Sequence, residues 1–163
     1  LAANSFKRET MKPEACIRWS LANASARSAS AQAMASMINS LEASGFFRWH
    51  DSGDLQGTWH LANICAVARA TPQITHWLPT REYGMVSDYI AAGNKLPDNL
   101  TVRLSAYIVN GPAPTAVAKR LGCVTSTVST DDFTCPSSKQ GNKCLTCRAC
   151  WDKNVENVAY HKS

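Results

Sequence analysis

With 163 residues, 45% of them hydrophobic and five of them tryptophan, the chain can bury one real core, and its composition fits a folded globular protein and does not suggest a disordered tail. No window approaches the roughly 18 apolar residues of a membrane-spanning helix, and no signal-peptide-like run opens the chain. The net charge of +5 is spread along the chain, which permits contact with a polyanion without demanding it.

Residues 1–12 are polar and basic with no clear period. Pro13 and Glu14 suit a first helical turn and predict a short helix from about Pro13 to Ala24. Ala29, Met34, Met37, Ile38 and Leu41 recur at helical spacing before Gly45, with Met34 and Met37 expected as core filler. Phe46 to His50, short and aromatic, reads as a buried strand. Trp59, Leu61, Ile64, Cys65 and Ala68 mark a helix that ends before Pro72, and Ile74 to Leu78 a second strand. Tyr83, Val86, Tyr89 and Ile90 mark a helix ended by Gly93. Leu100 to Tyr107, where Val102 and Leu104 alternate with polar partners, reads as a third strand.

Strands alternating with helices of this length predict parallel pairing. The expected fold is α/β, with a mostly parallel sheet. It is an incomplete or partial TIM-barrel-like unit, since the chain is too short for a full eight-stranded barrel of ordinary size. After Gly111 the texture changes. A short helix is expected over Thr115 to Leu121, an extended stretch over 123–130, a cysteine and turn-rich stretch over 134–151, and a last strand or helical turn around Val155, Val158 and Tyr160. Three regions follow: helical over 1–45, an α/β core over 46–110, and a cysteine-rich region over 111–163 packed on that core. A chain beginning at Leu1 is compatible with a processed form or a fragment.

Seven cysteines without a signal peptide point to a reducing compartment, and disulfides are the weaker explanation. Cys144, Cys147 and Cys150 stand at two-residue spacing, and Gly141 and Asn142 help fold Cys135 back as a fourth ligand. Three thiolates crowded into seven residues are similar to the ferredoxin-type run, so Cys135, Cys144, Cys147 and Cys150 are expected to hold a [4Fe–4S] cluster. Structural zinc is the close alternative. Arg148, Lys143 and Lys153 would offset the charge of such a centre, and Trp151 could shield it.

His50-Asp51-Ser52-Gly53-Asp54 follows the first predicted strand, Arg81 follows the second, and Ser105 lies near the end of the third. Ligands bind at the carboxyl ends of parallel strands, where loops and helix N-termini converge. His50, Asp51, Asp54, Arg81 and Ser105 are therefore the candidate catalytic set, with His50 and Asp51 offering acid–base or metal-binding groups and Arg81 an anion clamp. Structural roles compete. Asp54 could cap the next helix, and Asp51 could pair with Arg48 or Arg81. His60 and His76 are expected as satisfied structural histidines, and Trp49, Trp59 and Trp77 as core.

Phe47–Asp54, Trp77–Glu82, Leu96–Ala106, Lys143–Asp152 and Tyr160–Lys162 resemble a phage- and plasmid-encoded family that includes mycobacteriophage gene product 88. The likeness covers about residues 46–163. Many members of that family resemble radical S-adenosylmethionine enzymes, which implies a barrel-like α/β fold with the His50–Asp54 loop at its active end. That chemistry needs an open cluster iron, usually supplied by a Cys-x3-Cys-x2-Cys triad, and no such triad occurs here. S-adenosylmethionine is expected only if a triad lies upstream; otherwise this branch does not perform the reaction, and the C-terminal centre is auxiliary or structural.

Two functions are thus expected. One is an iron–sulfur phage or mobile-element enzyme, or a fragment of one, acting on a nucleic acid, a nucleotide or a modified side chain. The other is a zinc-stapled binding or inhibitory module. Both predict a cytoplasmic protein with a nucleic-acid or protein partner and no membrane.

Overall fold

The computed structural model describes residues 28–50 and 52–162. The helix expected over Pro13 to Ala24 lies outside them, as does Asp51. Helix α1 spans 28–41 and buries Ala31, Ala35 and Ile38, with Met34 packed beside them. That stripe follows the i, i+4, i+7 spacing of one helix face. Met37 lies off it and is exposed, contrary to its expected place in the core.

The remaining elements alternate as the patterning predicts: β1 (Phe46–Arg48), α2 (Thr58–Ala70), β2 (Thr75–Thr80), α3 (Tyr83–Ala91), β3 (Leu100–Ser105), α4 (Thr115–Leu121), β4 (Val124–Ser129) and β5 (Asn157–His161). Gly122 closes α4 in the left-handed conformation (φ 64°) that a side chain would resist. All five strands run parallel, in the spatial order of the sequence, β1-β2-β3-β4-β5. The result is a mixed α/β fold with a curled half-barrel sheet.

β2 runs through Pro79, two residues further than its apolar pattern suggests. The ladder explains why. Thr75 N–H points to Gly45 O beside β1, while His76 N–H points to Asn99 O beside β3. Odd-numbered residues of β2 therefore face β1, which has already ended at Arg48 opposite Trp77. The missing N–H of Pro79 removes no ladder bond.

The two faces of the sheet are packed differently. Leu78, Leu100, Val102 and Leu104 point to one face and form the main core with apolar residues of α1 to α4. The opposite, concave face carries Trp77, Arg103 and Val158. Against it lies the 130–156 connection, whose two 3-10 turns are Pro136–Lys139 and Ala149–Trp151. β4 and β5 are joined by this segment where the earlier strands are joined by helices.

Arg103 holds the segment down. It is fully buried, and all five of its N–H donors are used: Nε to Cys150 O (2.9 Å), Nη1 to Thr125 O and Val155 O, Nη2 to Ala149 O and Asp152 O. Thr101 donates to Trp151 O (2.7 Å), and Trp151 Nε1 donates to Phe47 O (3.0 Å). Among the described residues no helix is long and apolar enough to cross a membrane.

Candidate functional site

The carboxyl ends of the strands open into a cleft of about 630 Å³. Arg48 comes from the end of β1, Thr80 and Arg81 from the end of β2, Ser105 from β3, Ser126 from β4 and Tyr160 from β5. Ser105 and Ser126 are opposed in the ladder, and their hydroxyls meet at 3.0 Å on the cleft floor. Of the expected set, His50, Asp54, Arg81 and Ser105 line this one cleft despite their separation in sequence. Asp51 lies outside the described residues, and with it any pairing to Arg48 or Arg81.

Asp54 does not cap the helix that follows it. The N-cap of α2 is Gly57, which makes no side-chain cap bond. The Asp54 carboxylate instead accepts from Leu55 N (2.7 Å), Thr80 Oγ1 (2.5 Å) and Arg81 N (2.7 Å), so it fastens the loop after β1 to the end of β2. The rim opposite is fixed by aromatic hydroxyls: Tyr83 donates to Ser105 O and Tyr107 to Arg81 O.

The two arginines present their charge differently. Arg48 lies over the Trp77 ring, its guanidinium carbon 5.0 Å from the ring centroid, an arrangement that holds the charge against the concave face. Arg81 is exposed at the start of α3. Among the described residues neither guanidinium donates a hydrogen bond or enters a salt bridge. Burial lowers the basicity of His50, partly offset by the charge of Asp54. This favours the neutral form of its imidazole.

His76 behaves as the structural histidine expected of it. Trp49 Nε1 can only donate, so His76 Nδ1 accepts from it (3.2 Å) and Nε2 carries the proton toward Thr71 Oγ1 (2.8 Å). His60 differs from expectation, since its Nδ1 is buried without a hydrogen-bond partner among the described residues. Trp59 also departs from the core role expected of it. It is 38% exposed, because the buried face of α2 runs through Leu61, Ile64, Cys65 and Ala68.

The family model described as gene product 88 matches residues 4–153. The chain belongs to the gene product 88 family. No curated protein and no solved structure matches it. The matched span contains the His50–Asp54 loop, Arg81, Ser105 and the cysteine segment of this family member.

The four clustered cysteines are all free thiols. Their chemistry suits a soft metal, but they are not gathered into the expected ligand shell. Among the described residues no three His, Cys, Asp or Glu side chains are arranged to hold a metal ion. The reason lies in the packing. Cys150 is drawn into the concave face, with its Sγ 3.2 Å from Tyr160 Oη, and Cys135 Sγ lies 3.2 Å from Ser137 Oγ. Cys144 stays exposed, on a turn where Asn142 and Leu145 both adopt positive φ.

Tyr160 connects this segment to the cleft, touching Cys150 on one side and lining the cavity on the other. Burial, reinforced by the Cys150 thiol, pushes its phenol well above the usual range, so it remains protonated. Arg48, Ser126, Tyr107 and Tyr160 were not among the residues expected from sequence. Arg48 was signalled only by its two-residue offset from Phe46 on a strand, and Ser126 only by its register with Ser105.

Proposed function

We propose that the cleft binds a phosphate-bearing ligand, a nucleotide or a nucleic-acid end, between Arg48 and Arg81. The observation that carries this is the pair of guanidiniums at adjacent strand ends, neither engaged in a salt bridge among the described residues. A guanidinium presents a planar fork of donors that matches phosphate oxygens. Ser105, Ser126 and Tyr160 add hydroxyls on the floor, and His50 a neutral base at the edge, so the cleft has the components for acid–base chemistry on what it holds. Nucleoside phosphates and short single strands should bind more weakly as salt rises. Arg48→Gln and Arg81→Gln should each weaken binding by about tenfold. Failure of every such ligand to bind the folded chain would remove this function.

A second function is favoured by Cys135 and Cys150 sharing one apolar cluster, with Cys144 close enough for its charge to act on Cys150. Here the segment closes on a [4Fe–4S] cluster, or on zinc as a staple of a binding or inhibitory module, when metal is supplied. Protein made and purified without oxygen or chelator should carry iron and sulfide with visible charge-transfer absorption. Zinc alone leaves the staple without redox chemistry, and neither metal sinks both forms. S-adenosylmethionine chemistry is proposed only for a longer chain that carries a Cys-x3-Cys-x2-Cys triad, since these residues contain none. All six described cysteines are free, which supports a reducing, cytoplasmic setting.

A further inference from the structure

Two imidazoles meet at the edge of the cleft, each with a ring nitrogen that has no hydrogen-bond partner among the described residues. His50 leaves β1 in a left-handed backbone conformation (φ 56°), which few side chains other than Asn, Asp and His adopt. Its ring meets that of His60, in the first turn of α2, edge to face, with centroids 5.1 Å apart. His50 Nε2 and His60 Nδ1 are both shut off from solvent, and neither has a hydrogen-bond partner among the described residues. A buried orphan polar atom costs roughly 1–3 kcal/mol. Two of them in one ring pair, beside a strained backbone, call for a common occupant.

The spacing leaves room for a metal ion as that occupant. An imidazole bound through one nitrogen at about 2.1 Å sets its ring centre about 3.2 Å from the metal, so two rings on one tetrahedral ion stand about 5 Å apart. Burial keeps both rings neutral, and His50 itself further lowers the basicity of His60. Asp54 is the negative charge that both rings feel.

We propose that His50 and His60 form a two-histidine site for a divalent transition-metal cation of the zinc class. Nitrogen donors favour such an ion over magnesium or calcium. Among the described residues no third protein donor is arranged with the pair, so water or a ligand in the cleft fills the remaining positions. His50 lines the cleft, which puts the ion at its edge. The site stands independently of anion binding by Arg48 and Arg81.

The test is a titration of the reduced, metal-stripped full chain with Zn²⁺, followed through the side-chain nitrogen signals of each histidine by NMR. This readout separates imidazole binding from uptake by the thiols. The His50 and His60 signals should shift together in one saturable step while His76, sealed by its own hydrogen bonds, does not move. His50→Gln should abolish the step at His60, and His60→Gln the step at His50, with the His76 signal reporting that each variant is folded. The site is overturned if either ring stays unmoved when zinc saturates the chain, or if the step survives in either variant. A pair that moves with pH but not with zinc shares a proton or a water, and that also overturns it.

Discussion

The carboxylate of Asp54 accepts the backbone N–H of Arg81 at 2.7 Å, at the point where β2 has no strand left on its β1 side. Odd-numbered N–H groups of β2 face β1, and β1 stops at Arg48. Pro79 has no N–H to lose there, and Arg81 is the next donor in the series. Asp54 stands in for the missing strand and, through Thr80 Oγ1, also fixes the entry to α3.

Replacement of Asp54 by Ala should therefore destabilise the fold by about 2–3 kcal/mol, because it leaves three donors without their acceptor. The effect is read as a lower urea midpoint with an unchanged slope. Asp54→Asn should cost less, since its carbonyl can still accept from one or two of these groups. A midpoint unmoved by Asp54→Ala would mean that the loop after β1 is not fastened this way.

Arg103 is held by geometry as much as by charge, and lysine should not replace it. A three-donor ammonium cannot reach five carbonyls set around a planar fork. Arg103→Lys is expected to cost about 2–4 kcal/mol and Arg103→Met about 3–5 kcal/mol, the second because several buried carbonyls lose their only strong donor. Release of the 149–155 turn should show as a change in Trp151 fluorescence and as new protease cleavage in that stretch. Native-like protease resistance in Arg103→Met would refute the clamp.

His76 makes the protein sensitive to acid. Burial pushes its imidazole down to about 4, against 6.5 for the free side chain. Between these values the unfolded chain binds the proton and the folded one does not, so stability is complete above about pH 6.5 and falls toward pH 4. The loss from this group alone amounts to about 3 kcal/mol. The shifts of His50 and His60 have the same sign and add to it. Denaturation midpoints across this range, alongside NMR titration of His76, measure the effect; a His76 signal that titrates near 6.5 in the folded protein contradicts it.

The thiols should react in an order set by packing. Cys144 is exposed and should be alkylated first. Cys65, Cys123 and Cys150, whose thiols burial pushes up (Cys123 to about 12), should react slowly. Peptide mass spectrometry after brief alkylation of the native, metal-free protein gives the order. Cys150 labelled as fast as Cys144 would show that the segment is not docked on the concave face.

The alternation of helices and strands was legible because each strand and helix carries its own period of apolar residues, which is a local property. The same holds for the cleft residues His50, Arg81 and Ser105. A residue just beyond a parallel strand lies at the carboxyl edge of the sheet whatever surrounds it.

What the sequence determined by itself was therefore the alternation of elements from β1 to β3, their parallel sense and the edge at which polar groups collect. Only the tertiary structure decided that an arginine in the middle of β3 is buried, because four of its five acceptors come from a segment about fifty residues away and the fifth from β4. It also decided that the cysteine segment folds into the hollow of the half-barrel and that His60 comes to face His50. Such relations depend on where separate stretches of chain land against each other, and no local spacing of residue types encodes them.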